Sequence, residues 1–286
     1  MDDRRGRPDL PASRDRGHAL SRRRTPTRLP GLIDSHAHLQ HADFDADRDA
    51  VIERAVEAGI ERIVVPGWDL PSSEAALELA ARHPSVIRAA VGVHPHDAAT
   101  MDEVAWRRLE MLVSDPLTRA VGEIGLDYFR DLSPRDQQRT AFERQLTLAA
   151  AHRLPVLVHD RDAHADVEAA LQASPAVGEG RGRGVLHAYS GDAAMAARLA
   201  AAGFVISFAL PVAFRSAGGP RAAASALDDG TFVVETDAPY LGPDRARRNE
   251  PTTVLRVTAE LARIRGVTAE SLVHPIRAGF ERLLGD

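Results

Sequence analysis

From residue 31 onward the sequence alternates eight times between a short β-type run and a stretch with helical spacing. The β-type runs fall at 31–34, 62–66, 87–93, 119–123, 155–159, 184–187, 204–207 and 232–235. Several, such as RIVVPG and PVLVH, are continuously apolar, as strands are when a parallel sheet is covered on both faces. The segments between them are long enough for crossover helices. SPRDQQRTAFERQLTLAAAHRL predicts a helix with Ser133 as N-cap, Pro134 at the first helical position and Asp136 where a capping box wants an acid. Phe142, Leu146, Ala149 and Ala150 repeat along one buried stripe of it. After the last β-type run, residues 252–284 read as two closing helices divided near Gly266. Eight βα units in about 255 residues fit a (β/α)8 TIM barrel, a single α/β domain spanning 31–286.

Residues 1–30 fall outside that pattern. They hold nine arginines and four aspartates, about +5, which leaves about −10 on the remainder of a chain whose formal charge is −5. Rich in Arg, Pro and Ser and without hydrophobic periodicity, they are expected to form a disordered basic extension. Arg22, Arg23 and Arg24 are not followed by the apolar stretch of an export signal, so a cytoplasmic location is expected. No apolar run approaches the ~18 residues of a membrane span. Cysteine and lysine are both absent. That excludes disulfides, thiolate metal sites, a cysteine nucleophile, Schiff-base lysines and lysine-bridged metal pairs.

In a parallel barrel, chemistry gathers where strands end and βα loops begin. His36 and His38 follow the first strand, Glu123 the fourth, His159 the fifth, His187 the sixth and Asp237 the eighth. Strand alternation sends residues i and i+2 to one face, so the pair in DSHAHL can reach a common ion. Four imidazoles and two carboxylates form a set able to hold one or two divalent ions. Without lysine, a bridge between two ions must be a carboxylate, and Glu123 is the candidate. Asp237 is the candidate to ligate metal and to orient an attacking water as general base. Such a pair of ions would suit an in-line displacement at phosphorus.

The chain resembles the TatD family of metal-dependent deoxyribonucleases, within the wider amidohydrolase-type barrels. The resemblance rests on DSHAHL (34–39), GVHPHDA (92–98), VGEIGLDYFRD (121–131), RQLTLAAAHRLPVLVHDRDA (144–163), GVLHAYSGD (184–192), ISFALPVAF (206–214), VVETDAPYLGP (233–243) and RNEP (248–251), in family order. It implies metal ligands at His36, His38, Glu123, His159, His187 and Asp237, with Glu123 and Asp237 catalytic. It also implies phosphodiester hydrolysis on DNA with Mg2+, Mn2+ or a similar ion such as Zn2+. Two departures stand out: HAYSG where relatives commonly have Cys and Phe after the histidine, and Gly279 where an Asn is usual.

Other motif residues admit two readings each. His94 and His96 either hydrogen-bond a phosphate oxygen or shape their loop, with substrate contact favoured for His94. Asp127, Tyr128 and Arg130 either line the groove or pack the loop, and Arg130 would suit a phosphate. Asn249 and Glu250 either cap the closing helices or bind substrate. The negative remainder of the chain opposes long contacts with duplex phosphates, so the expected substrate is single-stranded DNA or frayed ends, cut exonucleolytically. No membrane and no obligate protein partner are expected. The alternative is an esterase or amidase of the same superfamily, such as an aminoacyl-tRNA deacylase. A non-enzymatic binding barrel ranks last, because all six ligand positions are intact.

Overall fold

The computed structural model describes residues 25–174, 182–244 and 247–285. The alternation read from the sequence appears as β1 (Leu32–Asp34), α1 (Arg48–Glu57), β2 (Ile60–Pro66), α2 (Leu70–Arg82), β3 (Ile87–Val91), α3 (Glu103–Val113), β4 (Thr118–Asp127) and α4 (Arg135–His152). It continues as β5 (Val156–Arg161), α5 (His164–Ala173), β6 (Gly184–Leu186), α6 (Ala193–Ala201), β7 (Phe204–Phe208), α7 (Gly218–Ala226), β8 (Phe232–Val234), α8 (Val254–Arg265) and α9 (Ala269–Leu284). The strands pair in parallel in sequence order. The ring closes where Ser35 N–H reaches Val234 O at 3.0 Å and Ala37 bridges Ala238. This is a (β/α)8 barrel. No helix among the described residues is long and apolar enough to cross a membrane.

Local chemistry explains the helix starts and stops. At α2, Asp69 accepts from Ser72 N–H at 2.8 Å while Ser72 Oγ accepts from Asp69 N–H, a reciprocal capping box. Gly266 ends α8 in the left-handed region. At α4 the expected cap moves by one residue. The helix begins at Arg135 with Pro134 extended before it, and Ser133 Oγ instead donates to His96 O at 2.7 Å and accepts from Ala99 N–H at 3.1 Å. That serine ties two βα loops together, a tertiary use that overrides its capping preference.

Two boundaries also differ from the sequence expectation. Leu29 is buried and its N–H bonds Ala58 O at 2.9 Å, so the packed chain starts before residue 31. The rest of the expected extension, residues 1–24, lies outside the described residues. Strand β4 runs on past Glu123 to Asp127. Gly125, at φ 143°, allows this, since a Cβ there would lie 2.0 Å from His159 O. Gly279 is explained the same way: a Cβ would lie 2.6 Å from Phe232 O, so α9 packs backbone-close against β8.

Candidate metal centre

The six expected side chains converge at one rim of the barrel. His36 and His38 follow β1, Glu123 and His159 lie within β4 and β5, His187 follows β6 and Asp237 lies three residues beyond β8. Glu123 sits in the middle. Its Oε2 is 3.3 Å from His36 Nε2 and 3.5 Å from His38 Nε2. Its Oε1 is 2.9 Å from His159 Nδ1 and 3.1 Å from His187 Nε2. Asp237 Oδ1 lies 3.8 Å from His36 Nε2 and 3.5 Å from His38 Nε2. Asp237 has φ 56°, and its N–H is held by His36 O at 2.8 Å.

One outward ring nitrogen fixes a tautomer. His38 Nδ1 meets Pro66 O at 3.2 Å, and a carbonyl can only accept, so that nitrogen carries the proton. His187 Nδ1 meets Glu235 Oε1 at 3.1 Å, and His159 Nε2 meets Asp127 Oδ2 at 3.2 Å. Neutral His38 therefore turns a lone pair inward, toward carboxylate oxygens that also only accept. His159 and His187 instead have a carboxylate at both ring nitrogens and, in the neutral ring, a single proton to share between them. Around Glu123 and Asp237 the acceptors outnumber the protons that neutral rings can offer, and a pocket short of donors calls for cations. Protons are one answer and divalent ions the other, so the residues fit a metal. Groups within 4.8 Å of one another that could hold an ion are His36, Glu123 and His187; His36, His38 and Asp237; and His94, Glu123 and His159.

The electrostatics carry the same signature. Burial would lower His187, His38 and His159, but facing carboxylates outweigh it and raise all three, His187 most. His36 is lowered by burial and by His187, on which its ring stacks at 4.0 Å. Burial alone would raise Glu123, yet the surrounding imidazoles hold it well below the usual carboxylate range. Asp237 is lowered despite burial, chiefly by its hydrogen bond with His38.

His94 reaches the centre with a different chemistry. Its Nδ1 accepts from His96 N–H at 3.1 Å, so its Nε2, 3.5 Å from Glu123 Oε1, carries the proton in the neutral ring. Burial lowers its pKa to about 4, keeping it a neutral donor. Tyr128 and Arg130 are not drawn in. The Tyr128 hydroxyl donates to Asp166 Oδ2 at 2.6 Å, toward α5. Arg130 is exposed and its guanidinium makes no hydrogen bond or ion pair among the described residues. Asn249 caps no helix; its Nδ2 clasps Thr236 O and Tyr240 O at 2.8 and 2.7 Å. Glu250 pairs with Arg54 at 3.0 Å and Arg248 at 3.2 Å.

The chain matches the family described as "TatD related DNase" over residues 33–285. It belongs to that family. It is 37% identical over 256 residues to the metal-dependent hydrolase YabD of Bacillus subtilis, covering 88% of this chain and 98% of that one. It is 34% identical over 263 residues to the 3'-5' ssDNA/RNA exonuclease TatD of Dickeya dadantii, covering 88% and 97%. Among solved structures it resembles the TatD homologue YJJV of Escherichia coli, with TM-score 0.82, 28% identity and coverage of 90% and 98%. The TatD barrel here is thus a metal-dependent hydrolase.

Several residues that shape this TatD centre had no assigned role in the sequence reading. Glu235 backs His187 and also accepts from Ala188 N–H at 2.6 Å and Ser207 Oγ–H at 2.5 Å. Asp34 binds Thr236 through its backbone N–H at 2.9 Å and its hydroxyl at 2.6 Å, and burial pushes the carboxyl up to about 8. Gln145 holds both the N–H and the carbonyl of Val93, and Gln138 holds both of Asp127. The glutamines carried a signal: they stand seven apart on the buried face of α4, where polar side chains need a reason.

Proposed function

We propose that this protein is a divalent-metal-dependent exonuclease that hydrolyses phosphodiester bonds at the ends of single-stranded nucleic acid. The observation that carries the reading is Glu123, which offers Oε2 to one histidine pair and Oε1 to the other. His36, His38 and Asp237 would hold an ion on one side of it, and His159 and His187 on the other. Bound there, a divalent pair supplies positive charge to the phosphate oxygens and a nucleophile near neutral pH. Asp237 takes the proton of the attacking water, and His94 Nε2–H hydrogen-bonds a phosphate oxygen. Tyr128 and Arg130 contact the strand only farther from the centre. The names of several relatives, 3'-5' ssDNA/RNA exonucleases, support the substrate class and extend it to RNA. The histidine-rich donor set is softer than Mg2+ prefers, which favours Mn2+ or Zn2+.

The test uses protein stripped with EDTA and given Mg2+, Mn2+ or Zn2+ singly, on single strands and duplexes labelled at either end. Stepwise shortening of the single strand from its 3' end is expected, with slower action on blunt duplex. Rapid nicking of a closed circular single strand would overturn the exonuclease reading. Inactivity on every polynucleotide, with release of amino acid from aminoacyl-tRNA, would replace it with an esterase.

A further inference from the structure

Three rings stand side by side along one wall of the centre, and neither the barrel core nor the chemistry above uses them. His41 lies between Trp68 and Tyr240, with centroid separations of 6.0 and 5.9 Å. His38, whose Nε2 faces Glu123 and Asp237, meets Trp68 edge-on at 5.3 Å and Tyr240 edge-on at 5.9 Å. The rings come from the loops after β1, β2 and β8, and their backbones are pinned. Trp68 N–H donates to Ser72 Oγ at 2.8 Å and its carbonyl accepts from His94 N–H at 2.8 Å. Tyr240 N–H donates to Asp237 O at 2.8 Å. Tyr240 nevertheless leaves 51% of its surface exposed. Phe129 is also exposed on this face, but the Arg161 guanidinium covers its ring at 4.1 Å.

We propose that Trp68, His41 and Tyr240 form a base-binding subsite. The flat face of an unstacked nucleobase lies against this wall while its own phosphate sits at the metal centre, one sugar away. The proposal rests on the exonuclease reading and supplies its selectivity. Stacking accepts any base, since every base has a π-face, so the subsite is tolerant of sequence. A base paired within a duplex cannot turn onto the wall without losing its partner and its own stack, which restricts cleavage to free or frayed ends.

Two measurements test it on the full chain with its activating ion. Deoxyadenosine 5'-monophosphate and 2-deoxyribose 5-phosphate are titrated while tryptophan fluorescence is followed; the second tryptophan, Trp106, lies on α3 beneath Arg144 at 4.3 Å. The nucleotide should quench saturably and bind about tenfold more tightly than the sugar phosphate. In parallel, kcat/KM is compared on single strands ending in a normal or an abasic nucleotide. The wild-type preference for the base should be about tenfold, lost in Tyr240→Ala and kept in Tyr240→Phe. A wild-type enzyme indifferent to the terminal base would overturn the subsite and leave the nuclease standing. So would Tyr240→Ala lowering activity on both strands equally, which marks a structural role. Cleavage of neither strand would remove the nuclease reading and this proposal with it.

Discussion

On the β1 and β8 side of the centre, His36 and His38 come from one extended stretch, and a carboxylate, Asp237, faces both directly. The outward nitrogen of His38 rests on a neutral carbonyl, Pro66 O. On the β5 and β6 side, His159 and His187 come from separate strands and share only Glu123 inside. The negative charge there stands behind the rings, Asp127 behind His159 and Glu235 behind His187. A carboxylate in direct contact lends its full charge, whereas one behind an imidazole orients the ring and raises its basicity. The first half is therefore self-sufficient, and the second depends on its outer layer. Glu123 belongs to both, so Glu123→Gln should erase the distinction: hydrolysis should fall on the order of 10⁴-fold. Stoichiometry by calorimetry should drop with it, while far-ultraviolet circular dichroism stays native. Retained turnover would mean that the bridge is not the shared element.

Proton competition should expose the same centre across pH. His38, His159 and His187 are raised above the ordinary value of 6.5 because facing carboxylates outweigh burial. A histidine raised on folding stabilises the fold below its unfolded value and loses that contribution as pH climbs through the raised one. Glu123 and Asp237 are lowered, so their contribution is present above ordinary carboxylate values and vanishes only as pH falls through the lowered ones. EDTA-stripped protein should thus lose stability above about pH 6.5 from these groups. An ion must displace the same protons, at about 1.4 kcal/mol for each unit by which a ring's pKa exceeds the pH. The rise in Tm on adding metal should therefore grow from mildly acid to mildly alkaline pH. A shift independent of pH would show that the rings are already unprotonated.

The division between the halves was only partly legible in the sequence. Eight apolar runs specify the barrel because burial on both faces leaves few other folds for them, and strand ends bring distant residues together. His36, His38, Glu123, His159, His187 and Asp237 could be picked out by that rule alone. Asp127 and Glu235 could not be given their roles. Reading β4 as ending at Glu123 put Asp127 in a loop, whereas the longer strand places it four residues on, on Glu123's own face. Glu235 lies in a run whose obvious carboxylate is Asp237, and only the β6 approach shows that it serves His187. Ser133 failed as a cap for a related reason. Its bonds run to His96 and Ala99, thirty-odd residues away, and helix propensity does not record them.

Outer-layer substitutions should separate the halves more cleanly than ligand substitutions. Asp127→Asn and Glu235→Gln keep shape but remove the charge behind His159 and His187. Affinity for the ion on the β5 and β6 side should fall about 10- to 100-fold, with the other side unchanged. Titration with Mn2+ followed by electron paramagnetic resonance would resolve two classes of site. Equal weakening of both classes would show that the halves do not act separately.

The smallest effect should come from one layer farther out. Ser207 has a single hydroxyl proton, and Glu235 Oε2 takes it at 2.5 Å. Ser35 Oγ, 2.9 Å from Ser207 Oγ, must therefore donate to Ser207. This chain connects the start of the β1 half to the outer layer of the β6 half through two neutral hydroxyls. Ser207→Ala leaves a buried carboxylate oxygen and the Ser35 hydroxyl without their partner, costing about 1–3 kcal/mol in stability. Its effect on metal binding should be much less than the unfolding cost, because Glu235 keeps its charge and its contact with His187. Denaturant unfolding and Mn2+ titration of the same variant give both quantities. A loss of affinity as large as that of Glu235→Gln would mean that the hydroxyl, not the carboxylate's charge, sets the ring behind which it stands.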